Sequence, residues 1–306
     1  MTRLLVTGVS GLLGVNLALK AIEKGFDVVG WSNTRRLKNT PFEQATVSLE
    51  RLESLATALD DAQPDAIVHC AAIANLDAAE KNPRLTNLVN AQAPGVLAEA
   101  AAKRGVPFVQ ISTEAIFDGK KGNYVEDDTP NPQNTYAQAK LAGEIAVRQA
   151  YSKSLIARVV FHGWSLSGTR SLAEFFYNNL SQGKRCNGFT DSIFSPLYVG
   201  DLANLLLEAL SVQLTGTYHF FSSESLSKYD FGVALARRFG MDEDLISPVI
   251  TANGDLQTQR SLNLSSNPAR LEAALGRQMP GIDEGIQRLY EDFQKGHRKR
   301  LMDYLA

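Results

Sequence analysis

Tyr136 and Lys140 stand four residues apart, so a helix through them sets a phenol and an ammonium on one face. A phenol with an ordinary pKa near ~10 exchanges protons poorly at neutral pH. A neighbouring cation favours the phenolate and would draw that pKa toward the working range. Thr113 closes the apolar run Pro107 to Ser112, where its hydroxyl could hold a substrate oxygen. Upstream, Gly8-Val9-Ser10-Gly11-Leu12-Leu13-Gly14 follows one apolar run and opens a helical pattern. Glycines so placed permit a tight turn, close approach of the backbone to a pyrophosphate, and close helix–strand packing. The free N–H groups and dipole of the helix start then favour phosphate. Together these residues spell proton transfer beside a bound dinucleotide.

The end of the second apolar run selects between dinucleotides. An acid there would accept the ribose 2′-hydroxyl, but the sequence reads Trp31-Ser32-Asn33-Thr34-Arg35-Arg36. Asp27 lies at the entering end of that run. Guanidinium groups bind a phosphate monoester through paired, charge-assisted hydrogen bonds, so Asn33, Arg35 and Arg36 point to NADPH rather than NADH.

Positioning these groups needs a particular scaffold. Short apolar runs alternate with helical patterns: strands at Arg3 to Thr7, Asp27 to Trp31, Ala45 to Leu49, Ala66 to Cys70, Pro107 to Ser112 and Leu155 to Val160. Helical stretches at Val15 to Lys24, through Leu52, Leu55 and Leu59, at Leu85 to Arg104 and at Tyr136 to Tyr151 separate them. This alternation predicts an α/β fold, a doubly wound parallel (Rossmann) sheet of six strands, with a smaller mixed α/β substrate lobe. Residues 1–160, with returning segments near 193–222, form the dinucleotide-binding domain. Residues 161–192 and 223–306 supply mainly the lobe.

Composition narrows the partners. Of 306 residues, 44% are apolar and 21% charged, which excludes a disordered or fibrous chain. The 31 basic and 33 acidic residues balance to a net charge of -2, leaving no field for nucleic acid or an anionic membrane. No apolar run approaches the roughly 18 residues that span a bilayer. Cys70 and Cys186 suit a reducing compartment, and the four histidines show no ligand spacing, so no metal is expected. Polar residues interrupt the apolar N-terminus, against a signal peptide and for a cytoplasmic location. The basic cluster Lys295, His297, Arg298, Lys299 and Arg300 reads as a solvated helix face.

The sequence resembles the extended short-chain dehydrogenases/reductases, and within them the dTDP-4-dehydrorhamnose reductase branch. The likeness rests on Ala71-Ala72 with Leu76-Asp77 and Glu80, on Val89-Asn90-Ala91, on Ile111-Ser112-Thr113-Glu114 and on Phe117-Asp118-Gly119. It continues through Tyr136-Ala137-Gln138-Ala139-Lys140-Leu141-Ala142-Gly143-Glu144, Pro196-Leu197-Tyr198-Val199 with Asp201, and Arg260 with Asn263. It implies hydride transfer from NADPH to the keto carbon of a nucleotide-linked deoxysugar. On that analogy Tyr136 delivers the proton, Lys140 binds the nicotinamide ribose and tunes Tyr136, and Thr113 orients the carbonyl. Ala71 and Ala72 line the cofactor cleft, Asn90 supports it, and Glu114 and Arg260 face the substrate. Apart from the analogy, Asn178 or Asn179 could sit near the sugar or base, and His162, which follows a strand, could touch the nicotinamide side.

Departures from the branch gather on the substrate side: Glu114-Ala115 replaces Asp-Tyr, Phe161 a Trp, Ser192 a Gln, and Ser261 a Pro. Two alternatives stay open. One is a nucleotide-sugar epimerase that keeps NAD bound. The other is a non-enzymatic NADP-binding regulatory or scaffold protein, since the branch is similar to the regulatory subunit of methionine adenosyltransferase. The expected partner is a small-molecule nucleotide sugar, and a homodimer is compatible with the sequence.

Overall fold

The computed structural model describes residues 1–253 and 261–305. Its centre is a parallel sheet containing β1 (Arg3–Thr7), β2 (Asp27–Ser32), β3 (Glu43–Thr46), β4 (Ala66–His69), β5 (Phe108–Thr113) and β6 (Leu155–Val159). A seventh strand, Gly216–Phe220, extends the sheet beyond the six expected, pairing with β6 from Gly216 against Leu155 to Phe220 against Val159. The order is Gly216–Phe220, β6, β5, β4, β1, β2, β3. Such an order reverses direction between β1 and β4, and ligands bind outside the carboxyl ends of strands at that switch.

Side chains alternate across each strand, so both faces must be covered. Leu4 and Val6 join the core beneath α1 (Leu12–Glu23) and the Val199–Ser211 helix, whereas Leu5, Val29 and Ile67 join the opposite core. There they meet Leu55 and Leu59 of α2 (Leu55–Ala62). Short helices α3 (Leu76–Lys81) and α4 (Pro83–Asn87) lead to α5 (Ala93–Arg104), and α6 (Thr135–Ala150) packs beside α5.

Two elements differ from expectation for local reasons. The third strand begins at Glu43 and ends at Thr46, so Val47 to Glu50 turn off the sheet edge instead of continuing it. The helical stretch from Leu85 to Arg104 is interrupted by a wide π-turn at Leu88–Gln92. Pro94 has no N–H to donate and its ring clashes with the carbonyl four residues back, which shifts the ladder at Asn90. The shift serves the site: buried Asn90 donates through Nδ2 to Ile73 O (3.0 Å) and accepts from Ile73 N through Oδ1 (2.8 Å).

The C-terminal basic cluster is not a solvated face throughout. His297 Nε2 lies 2.9 Å from Asn16 Oδ1 on α1, and the Arg298 guanidinium stacks over Trp164 and Tyr177. Tyr304 O accepts from Lys38 N (2.8 Å), tying the C-terminal segment to the loop after β2. Among the described residues no helix is long and apolar enough to cross a membrane.

Candidate active site

The glycine turn leaves β1 with Gly8 at φ +68°, in the left-handed region that favours glycine. A Cβ there would stand 2.7 Å from Ala71 Cα, and one on Gly14 would stand 2.2 Å from Gly8 O. Only bare backbone lets the turn, the start of α1 and the segment after β4 approach this closely. Gly11 caps α1 and donates to Gly8 O (2.8 Å), while Leu13 and Gly14 are buried beneath the turn. Across the switch point, Thr7 Oγ1 accepts from Ala71 N (3.2 Å) and lies 2.8 Å from His69 Nδ1. Burial, aided by the charge on Lys140, pushes His69 down to about 3, so this ring is neutral.

These walls enclose a cleft of about 320 Å³. Its lining brings together Gly8, Ser10, Gly11, Asn33, Ala71 and Ala72, as the sequence suggested. Leu12 begins α1 but does not line the cleft, and Arg35 and Arg36 are exposed outside its lining. Val47, Leu49 and Glu50 form a wall that sequence reasoning missed, because the third strand ends earlier than its apolar pattern implied. Arg170, also unforeseen, joins the lining from the loop before the Leu172–Leu180 helix.

A second cavity, of about 340 Å³, opens at the carboxyl ends of β5 and β6. Thr113, Glu114 and Tyr136 share it with Ala115, Phe161, Ser192 and Ser261, the positions where the sequence departs from the branch it resembles. Lys228 is the lone Lys or Arg in its lining among the described residues. It begins the helix Lys228–Phe239, whose Ser227 cap accepts from Asp230 N (3.0 Å). A Ser-x-x-Asp start signal could have marked Lys228, just as Ser171-x-x-Glu174, which forms a capping box, could have marked Arg170.

Helix α6 serves both cavities. Asn134 accepts from Ala137 N (2.9 Å) and starts the helix so that Tyr136 reaches the second cavity. One turn on, buried Lys140 donates to Ile111 O (2.6 Å) and lies close to Cys70, which lines the first cleft. Burial pushes Lys140 down to about 8, opposed by Glu144 and Cys70.

Tyr136 departs from expectation. Its pKa is raised, first by burial and then by Glu114, with a Thr113 hydrogen bond acting the other way. The Lys140 ammonium is directed to a carbonyl, so it does not draw the phenol downward in this arrangement. At neutral pH the phenol therefore keeps its proton, the form able to donate. Glu114, which accepts from Thr113 Oγ1 (3.1 Å), is pushed up to about 7 by burial against the opposing hydrogen bonds and Lys228.

The remaining candidates fall elsewhere. Arg260 lies outside the described residues. His162 is fully buried against Tyr198 and Phe231, neither ring nitrogen has a hydrogen-bond partner among the described residues, and burial pushes it down to about 3. It is a packing residue rather than a site contact. Asn178 binds Gly168 O (2.7 Å) and Arg298, and Asn179 binds Phe175 O (2.8 Å) within its own helix. Among the described residues no metal-binding cluster of His, Cys, Asp or Glu is present.

A seven-stranded parallel sheet with a glycine turn at its switch point, a Thr at the end of β5, and a Tyr and a Lys one turn apart on α6 defines an extended short-chain dehydrogenase/reductase. Residues 1–295 match the model of the RmlD substrate binding domain, and the chain belongs to that family. It is 32% identical over 293 residues to a probable low-salt glycan biosynthesis reductase of Haloferax volcanii, covering 94% of this chain and 97% of that protein. It is also 30% identical over 298 residues to methionine adenosyltransferase 2 subunit beta of Mus musculus, covering 93% and 87%. In fold it matches the solved structure of a Bacillus anthracis dTDP-4-dehydrorhamnose reductase in complex with NADP, with a TM-score of 0.84, 24% identity, and 95% and 99% of the two chains covered.

Proposed function

We propose that the protein is an NADPH-dependent reductase of a nucleotide-linked 4-keto-deoxysugar. The observation that carries this is α6, which presents a protonated phenol to one cavity and a buried ammonium beside the wall of the other. The glycine cleft fits a dinucleotide because added Cβ atoms would fill the space where backbone must meet pyrophosphate. Gly8, Ser10 and Gly11 would hold the phosphates, Ser32 and Asn33 the adenosine ribose, and Ala71 and Ala72 the wall packed beside the glycine turn. Bound there, the dinucleotide supplies the hydride that a carbonyl carbon needs to become an alcohol.

The chain's own groups supply the rest. Tyr136 Oη gives its proton to the carbonyl oxygen as negative charge develops there, and Thr113 Oγ1 fixes that oxygen. Lys140, buried close to Cys70 of the first cleft, would hold the nicotinamide ribose. Lys228, in the same cavity, provides the positive charge a nucleotide diphosphate requires. Preference for NADPH is supported by the absence of an acid at the exit of β2, since Asp27 pairs with Arg3 (2.5 Å) at the opposite end.

The test is consumption of NADPH with a set of nucleotide-linked 4-keto-6-deoxysugars, followed by absorbance and by chromatography of the alcohol product. One alcohol per NADPH is expected. Interconversion of sugars without net consumption would show an epimerase. Binding without turnover would favour a subunit role, as the likeness to the Mus musculus protein allows.

Glu114 gives the reaction a defined pH dependence. Below about 7 it is neutral, and above that its charge strengthens the hold of Tyr136 on its proton. Reduction by the wild type should therefore slow as pH rises through about 7, by about tenfold. Glu114→Gln should flatten that limb of the kcat profile. An unchanged limb in the variant would show that another group sets it.

A further inference from the structure

We infer that Arg170 is a clamp for the cofactor pyrophosphate, reaching the dinucleotide cleft from a loop packed against α1. This rests on the proposed dinucleotide cleft and adds to it a residue that neither the motif nor the resemblance supplies. Arg170 is the only cation lining the cleft among the described residues, and Glu50 is the only other charged lining side chain. The exposed Arg170 guanidinium has no hydrogen-bond or ion-pair partner among the described residues.

Its backbone, by contrast, is fixed. Arg170 N donates to Glu174 Oε2 (2.7 Å), Ser165 N to Glu174 Oε1 (2.6 Å), and Ser171 Oγ to Gly163 O (2.6 Å). Asn178 Nδ2 donates to Gly168 O (2.7 Å), and Arg298 in turn binds Asn178. Asn16 then stitches this loop to the first turn of α1, donating to Trp164 O (3.0 Å) and to Leu12 O (2.7 Å). A free guanidinium is thus held on a rigid base packed against the same helix whose first turn faces the phosphates. An anchored Arg with its fork unpaired is poised for bidentate phosphate contact at little ordering cost. Arg35 and Arg36 lie outside the lining, which separates a pyrophosphate contact at Arg170 from a 2′-phosphate contact in the loop after β2.

The test titrates NADPH and NADH into the full chain by fluorescence or calorimetry, without turnover. Arg170→Ala should weaken both cofactors by the same factor, about tenfold or more, because both carry the pyrophosphate. Arg170→Glu should weaken both further, and thermal melting without cofactor should be unchanged in either variant because the side chain is exposed. Loss confined to NADPH would assign Arg170 to the 2′-phosphate and overturn the pyrophosphate role. No loss in either variant would overturn any cofactor contact. A wild type that binds neither dinucleotide would instead overturn the dinucleotide cleft itself, and the clamp with it.

Discussion

Tyr136→Phe is expected to lower turnover by about 10²- to 10⁴-fold while leaving the affinity for NADPH within a factor of about two. The substitution removes one oxygen from a side chain whose ring lines the second cavity, so the packing of α6 and the glycine cleft are untouched. What it removes is a proton donor whose pKa is held high in that cavity by burial and by Glu114. Steady-state kcat and a separate NADPH titration distinguish the outcomes. Retained turnover would take Tyr136 out of the mechanism, whereas equal loss of binding and turnover would mean that the phenol serves the cofactor instead.

The second large effect concerns stability. Glu144 and Arg158 are both buried, at 0% and 2% side-chain exposure. Glu144 accepts from Arg158 through Nε (3.0 Å) and NH2 (2.9 Å), and from Ser112 Oγ (2.5 Å), the neighbour of Thr113 on β5. Glu144→Ala should cost about 3 to 5 kcal/mol, because it leaves a guanidinium charge in the core with its main partner gone. A drop of roughly 10 °C in the melting temperature follows for a chain of this size. Replacing both partners, Glu144→Leu with Arg158→Met, should recover most of it, since no unpaired charge remains. A single variant that melts with the wild type would show that water reaches Arg158.

The same pair shows how far sequence reasoning extends. Glu144 appeared in the stretch from Tyr136 that carried the family resemblance, yet nothing in that stretch named Arg158 as its partner. The two are brought together because α6 lies across β5 and β6, a contact between elements rather than within one. The seventh strand escaped notice for a related reason. Gly216–Phe220 is short and half-exposed at its start, and its parallel partner β6 lies about 60 residues earlier.

The site divides along the same line. Gly8, Gly11 and Gly14 were legible because their function depends on absence of a side chain at fixed spacing along one turn and one helix. Tyr136 and Lys140 were legible because helical periodicity alone sets them on one face. The direction in which Tyr136 titrates was not legible. It depends on burial and on Glu114, which reaches the phenol from the turn after β5, and on Lys140 pointing to Ile111 instead.

By itself, then, the sequence determined the parallel sheet, the glycine turn and the phenol–amine pair, all consequences of periodicity and backbone sterics acting over a few residues. Only the tertiary structure decided which further charges face each cavity: Arg170 and Glu50 in one, and Lys228 in the other, beside the Glu114 that the resemblance had already turned to the substrate. Those groups come from loops and helix starts far apart in the chain. Their meeting is set by how the layers pack, and a charge acts through distance and burial rather than through its place in the sequence.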